Sequence, residues 1–374
     1  MASSVERTST ESEPTGVERT STESEPTGAA RVAWIDALRG IAILAVVFVH
    51  AGPAPGPDRF LHTALVPSFM FAAGLVFQPG KYAGWWAFFK RRLRALVVPY
   101  LFYSMVAWAF WTAVWLWTHY HLGLRNPAMT RMVFAPLVGI PYGAAKFMTY
   151  NYPLWFLTCL FSADNLFYFL QKWVKTGWLL VVALIALSLI GFLLSRLLKN
   201  PLPWQIDAAL IVLPYYGAGH LIRRRFGLTN DLSWPLKLLA AAAALALALY
   251  FSGFNAETRW VDNNIGRWLP FQLTGAGAVI CFALAAQLLA PTRLLGYFGR
   301  RSLPLLGLHA MTMATFVAVF AAARGIAAPR TPHATPWALF CATGAILLAL
   351  PFVHLLDRYA PWALGRPRQR PAEI

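Results

Sequence analysis

From Val32 onward the chain is a succession of ten apolar runs, near residues 33–51, 63–79, 95–118, 153–171, 178–196, 205–222, 234–252, 268–290, 303–323 and 336–357. A helix rises about 1.5 Å per residue, so roughly 20 apolar residues cross a hydrocarbon core about 30 Å thick. Most of the runs approach or exceed that length, and polar loops separate them. Charged residues make up 13% of the 374 positions, against about 25% in soluble proteins. A soluble domain of this size would have too little polar surface to cover itself. The pattern predicts an all-α polytopic membrane protein with about ten transmembrane helices.

The charge that remains is unevenly placed. The 32 Lys and Arg against 15 Asp and Glu give a net charge of +17. A basic balance of that size raises nucleic-acid binding, but the cations form small clusters between apolar spans and line no single soluble face, so no nucleic-acid partner is expected. With the N-terminus in the cytoplasm, the inside segments hold twenty Lys and Arg and the outside segments ten. That bias favours a cytoplasmic N-terminus and C-terminus and a multi-pass protein of the cell membrane, with membrane lipids as its surroundings. The 16 Trp and 13 Tyr suit interfacial belts. Cys159, Cys281 and Cys341 stand alone inside apolar runs, with neither metal-ligand nor disulfide spacing, so no metal is expected and all three read as packing residues.

Three regions follow. Residues 1–31 carry a perfect tandem repeat, VERTSTESEPTG at 5–16 and again at 17–28. This stretch is too polar to offset chain entropy by burial and lacks the basic and apolar regions of a signal peptide; it reads as a disordered tail. Residues 32–358 form the membrane domain, and 359–374 a short cytoplasmic tail. The longest connection, 119–152, is rich in Gly and Pro and has room for a re-entrant or interfacial piece.

The first span, RVAWIDALRGIAILAVVFVHAG at 31–52, carries the chemistry. An Arg in a membrane helix costs about 2.5–3.5 kcal/mol on insertion scales, so Arg39 should face the protein interior. Asp36 lies one turn earlier on the same face and can partner it. His50 follows Arg39 by eleven residues, about three turns and roughly 16 Å, so the two share a face at opposite depths. That suits a long anionic ligand with a base at its far end.

This span resembles the membrane acyltransferase 3 family, whose first helix carries Arg, ten residues, then His, and WIDALRG resembles its fucose-4-O-acetylase-like branch. Four further segments agree in order. PSFMFAAGLVF at 67–77 resembles the family's second helix, with Ala73 in place of the usual Ser. FKRRLRALVVPY at 89–100 resembles its basic Arg-x-x-Arg loop. YPLWFLTCLF at 152–161 and YFGRRSLPLLGLHAM at 297–311 resemble two later segments, the last supplying Gly299, Ser302 and His309.

The resemblance implies transfer of an acyl group, usually acetyl from cytoplasmic acetyl-CoA, to a hydroxyl of a cell-envelope sugar, polysaccharide or glycolipid. Arg91 and Arg94, one turn apart with Arg92 between them, are then expected to hold the CoA phosphates through their guanidinium forks. His50 is the expected general base, its neutral imidazole taking the acceptor proton. Asp36 lies at the other end of the helix and cannot orient it; Arg39 is expected to position the donor or to pin Asp36. Asp207, His309 and Ser302 are candidates for the acceptor side, and Asp262, Asn263 and Asn264 for binding sugar hydroxyls. The chain runs about 17 residues past its last span, which on the family pattern implies direct transfer without a C-terminal esterase-like relay. Asp164, Asn165, Gln272 and His220 are expected as helix–helix hydrogen-bond partners, and His62, His119, His121 and His333 as solvated loop residues. Two alternatives fit ten spans with buried charge: a transporter or flippase of an envelope glycolipid, and another kind of membrane acyltransferase with one His deep among many spans. Transporters often show internal repeats, and none is visible after residue 30.

Overall fold

A computed structural model describes residues 32–122, 129–228, 232–255, 258–325 and 334–365; the duplicated tail at 1–31 and positions 366–374 of the C-terminal tail lie outside them. The described residues form thirteen α-helices: α1 (Ala33–His50), α2 (Pro55–Val76), α3 (Trp85–Arg92), α4 (Val98–Leu122), α5 (Met129–Tyr142), α6 (Trp155–Trp173), α7 (Gly177–Leu197), α8 (Ile206–Phe226), α9 (Trp234–Ser252), α10 (Trp268–Leu289), α11 (Arg293–Arg300), α12 (Ser302–Ala323) and α13 (Thr335–Tyr359). Among these residues no β-strand occurs beyond one isolated bridge. The chain is an all-α polytopic membrane protein.

Each of the ten apolar runs becomes a helix, with two instructive differences. The run at 95–118 is part of a longer stretch, Trp85–His121, in which α3 passes through a single π turn, Leu93–Val97, into α4. Pro99 lies just beyond that turn and has no N–H to offer the Ala95 carbonyl, so the helical register slips where the ladder is already short of a donor. The second difference concerns α8. Nine helical stretches among the described residues are long and apolar enough to cross a bilayer; α8, at 21 residues, is long enough but carries Asp207, His220 and three terminal Arg. It tolerates that composition because α2, α6 and α7 pack around it and much of its length is buried, Tyr215, Tyr216 and His220 included. The peripheral helices show the converse. Only 11% of the α9 span and 22% of the α7 span is buried, against 72% for α2, and their exposed Leu and Val side chains suit lipid.

Close helix crossings fix the interior. At the α2–α8 contact a Cβ on Gly74 would stand 1.9 Å from the Tyr216 carbonyl oxygen, and one on Gly219 2.3 Å from that of Phe71. Between α1 and α11, a Cβ on Gly40 would stand 2.2 Å from the Leu295 carbonyl oxygen and one on Gly299 1.8 Å from that of Asp36. Such backbone approaches are how small residues let membrane helices associate when apolar burial offers no driving force.

The connection at 119–152 holds α5, a 14-residue helix with internal Pro136 and Pro141, then two single 3-10 turns at Ala145–Phe147 and Tyr152–Leu154. Its backbone is satisfied by side chains of neighbouring helices. Tyr100 Oη donates to the Ile140 carbonyl at 2.6 Å, and the indoles of Trp108 and Trp111 donate to Val133 and Tyr150 at 2.8 and 3.1 Å. Asn151 Nδ2 donates to the Gly307 carbonyl at 2.8 Å, so the segment ends against α12.

Replacing Gly74 or Gly219 with Ala should lower the thermal unfolding midpoint in detergent, at an overpacking cost of about 1–3 kcal/mol. The same change at Gly56, where an added Cβ meets nothing within 4 Å, should leave the midpoint unchanged.

Candidate active site

Three histidines converge where α1, α2 and α12 meet. His50 is the last residue of α1, and its Nδ1 lies 2.8 Å from the Val46 carbonyl and 3.2 Å from His309 Nε2 on α12. His309 Nδ1 lies 3.1 and 3.0 Å from the carbonyls of Leu305 and Leu306. A carbonyl only accepts, so Nδ1 of each neutral ring carries the hydrogen and His309 Nε2 is an acceptor. The tautomers follow from these partners: His50 shares its Nδ1–H between Val46 and His309, and its Nε2 keeps a lone pair. That is the protonation a general base needs, with the orienting role filled by a second imidazole in place of a carboxylate. His309 is 1% exposed, which fixes its ring and through it the ring of His50.

His62 completes the cluster, its ring centroid 6.5 Å from that of His50. The expectation of a solvated loop residue fails here: α2 begins at Pro55, and His62 sits in its second turn facing the protein. Pro55 and Pro57 in the first turn are the signal that the apolar count passed over, since Pro there starts a helix ahead of its apolar stretch.

The rings of His50 and His62 line a cavity of about 240 Å³, with His309 behind them. Val46, Val49, Leu65, Val66 and Phe69 form its apolar wall, and His50, His62, Tyr152, Thr258 and Arg259 supply polar groups. Trp155 and Trp260 stack at 5.2 Å and also face it. Trp260 belongs to the α9–α10 connection, which is tied down at several points. Its indole donates to the His62 carbonyl at 2.9 Å, Thr258 bonds Thr63 at 2.9 Å, and Arg259 and Asn264 exchange two backbone hydrogen bonds. Asn255 holds the far side of the loop through Ile265 and Arg267. Tyr152, Trp155 and Trp260 escaped the sequence reading because an aromatic near a membrane surface reads equally well as an interfacial anchor.

The other expected residues divide. Arg39 is half-buried on α1, three turns from His50, and Asp36 faces Arg300 of α11 at 3.9 Å. Arg91 and Arg94 are exposed, whereas Arg92 turns inward. Its guanidinium forms a close ion pair with the fully buried Asp164, which also accepts from Tyr216 Oη at 2.6 Å. The expectation that Arg92 joins its neighbours on an anion does not fit that placement, because its fork is already occupied by a carboxylate. Ser302 opens α12. Asp207, in the first turn of α8, accepts from the backbone N–H of Leu202 and Ala208 at 3.2 and 3.1 Å, so it ties the helix start to the preceding loop and does not line the cavity. Asp262 pairs with Arg259 at 3.4 Å, and Asn263 is buried in a left-handed turn. Gln272 and Asn165 bridge helices, Gln272 through Ser188 and Asn165 through Trp85; His220 packs against Phe77 and Phe167. His333 lies outside the described residues. Cys159, Cys281 and Cys341 are free and buried. Among the described residues no group of three or more His, Cys, Asp or Glu is arranged to hold a metal ion.

Separating the buried pair should be costly, since one partner left alone is an uncompensated charge. Arg92→Ala or Asp164→Ala is expected to lose about 3–5 kcal/mol of stability. Arg91→Ala and Arg94→Ala should stay within about 0.5 kcal/mol of wild type; thermal unfolding of the purified variants in one detergent makes the comparison.

No curated protein and no solved structure matches the chain. Residues 32–356, which cover the whole helical assembly from α1 almost to the end of α13, match the acyltransferase domain family. The histidine-lined cavity therefore lies inside an acyltransferase domain, and the chain belongs to the membrane acyltransferase 3 family.

Proposed function

We propose that the protein moves an acyl group, acetyl foremost, from cytoplasmic acyl-CoA to a hydroxyl of a cell-envelope sugar, polysaccharide or glycolipid, with His50 as general base. The observation that carries this reading is the His50 ring, whose Nδ1–H is held by Val46 and His309 while the ring lines a cavity. Its remaining Nε2 lone pair takes the acceptor proton as the oxygen attacks the thioester carbonyl. The O–H bond breaks, the ester C–O bond forms, and the C–S bond releases the CoA thiolate.

The surroundings support a division of labour. Arg91 and Arg94 are exposed beside the π turn, available for phosphate groups through their guanidinium forks. On the charge bias of the loops they belong to the cytoplasmic side of the cell membrane. Arg39 stands at the same end of α1, where it steers the anionic donor toward His50. The stacked pair Trp155 and Trp260 offers aromatic faces against which the C–H surface of a sugar ring packs, with Tyr152 and Thr258 in reach of its hydroxyls. His309 acts as a positioning residue for His50.

The test uses purified protein in detergent with radiolabelled acetyl-CoA and an extract of envelope lipids and glycans as acceptor. Wild type should transfer label or slowly hydrolyse the donor. His50→Ala should lose about 10²–10⁴-fold of that rate, the usual contribution of a general base, while still binding acetyl-CoA. Saturable binding with no difference in rate between the two proteins removes His50 as the base.

A further inference from the structure

We propose that His62, held by Asp58, is a second proton-carrying residue of this reaction. It receives from His50 the proton of the acceptor hydroxyl and passes it to solvent on the acceptor side. The inference rests on the reading of His50 as the base and adds a route by which that base is reset.

The geometry begins in the first turn of α2. Asp58 sits there, where a carboxylate is favoured by the free N–H groups of the helix start, and residue 62 falls on the same face one turn later. His62 Nδ1 lies 3.0 Å from the Asp58 carbonyl oxygen and 3.5 Å from its carboxylate Oδ1. Both partners are acceptors, so Nδ1 carries a hydrogen and Nε2 of the neutral ring is the free nitrogen. His62 lines the cavity that His50 lines. The two ring centroids are 6.5 Å apart, a gap that one oxygen bonded to both rings at about 2.8 Å would span. The reacting hydroxyl, or the water that follows it, fits that place.

The two imidazoles differ in what stands behind them. Behind His50 are a carbonyl and the neutral, almost wholly buried His309, which offer a new positive charge no counter-ion. Behind His62 is a carboxylate. Tyr152 and Arg259 line the same cavity, and Arg259 pairs with Asp262. The way outward is open at His62 and Asp58, whose side chains are 29% and 26% exposed. Chains of His and acidic residues of this kind are how membrane proteins move protons. The step balances: the hydroxyl proton goes to His50 Nε2 as the ester C–O bond forms, and a water that then bridges the two rings takes it from His50 and hands one of its own protons to His62 Nε2. The thiolate leaves with CoA as the anion.

The experiment measures acetyl-CoA hydrolysis by the full-length protein in detergent, with water as the acceptor, in wild type, His50→Ala, His62→Ala, His62→Gln and Asp58→Asn. His62→Gln keeps size and hydrogen-bonding capacity but carries no proton, so kcat should fall at least about tenfold, with KM for acetyl-CoA unchanged. Asp58→Asn should lower kcat in the same direction. Added imidazole, small enough for the cavity, should restore part of the rate to His62→Ala; a merely structural loss would not respond. Wild-type kcat in both His62→Gln and Asp58→Asn, with His50→Ala inactive, overturns the relay and leaves the base standing. A rate untouched in His50→Ala overturns the underlying reading instead.

Discussion

The contact between His50 and His309 is the one on which the site depends, because it decides which nitrogen of His50 faces the cavity. An imidazole at a helix end that is free to rotate and to exchange tautomers does not hold its lone pair toward a substrate. Here the carbonyl four residues back on α1 and the buried ring on α12 both engage Nδ1. The contact is only as rigid as the two helices that bring it about. α1 is located by its glycine-mediated approach to α11, and α11 runs directly into α12 through Arg301. The glycines at 40 and 299, far from the cavity, thus bear on the 3.2 Å separation of the two rings.

A bilayer gives polar groups no alternative partner, and that explains how polarity is distributed through the fold. The spans with the smallest buried share, α7 and α9, are almost purely apolar. The helix with the most charged residues, α8, packs among α2, α6 and α7. Asp164 is tolerable at zero exposure because Arg92 and Tyr216 both reach it, and Ser188 because it bonds Ile211, Trp268 and Gln272. Each such cluster joins three segments of chain, so the groups that cannot be left alone in lipid also specify which helices meet.

This logic decides how much was legible in the sequence. The spans were, since length and apolarity are properties of a segment by itself, and so was the shared face of Arg39 and His50, a consequence of helical periodicity within one helix. Residues whose role depends on a second segment were harder. Arg92 and Arg91 are indistinguishable in a basic cluster, and only the inward side of α3 shows that Arg92 belongs to Asp164. His309 carried a signal as a polar residue inside a span, yet nothing in the sequence joined it to His50, 259 positions away. His62 was misplaced for a local reason: Pro55 and Pro57 lie in the first turn of a helix that starts eight residues before the apolar run, and a hydropathy boundary cannot see a helix start made of Pro, Asp and Arg.

The length of α1 connects these observations to chemistry on two sides of a membrane. On the proposed reaction, donor and acceptor never share a compartment, and a single rigid element must register one against the other. A helix does this well, because its rise per residue is fixed and its side chains at a given spacing share a face. Asp36 and Arg39 mark one end of that ruler and His50 the other. The π turn after Arg92 serves the same end from the neighbouring segment. Around it Arg92 points inward to Asp164 while Arg91 and Arg94 stay outward, so one short basic stretch both anchors the fold and presents charge. On the proposed reaction, an anion held by that outward pair would be positioned by the ion pair beneath it, with Arg92 as a support that does not touch the donor.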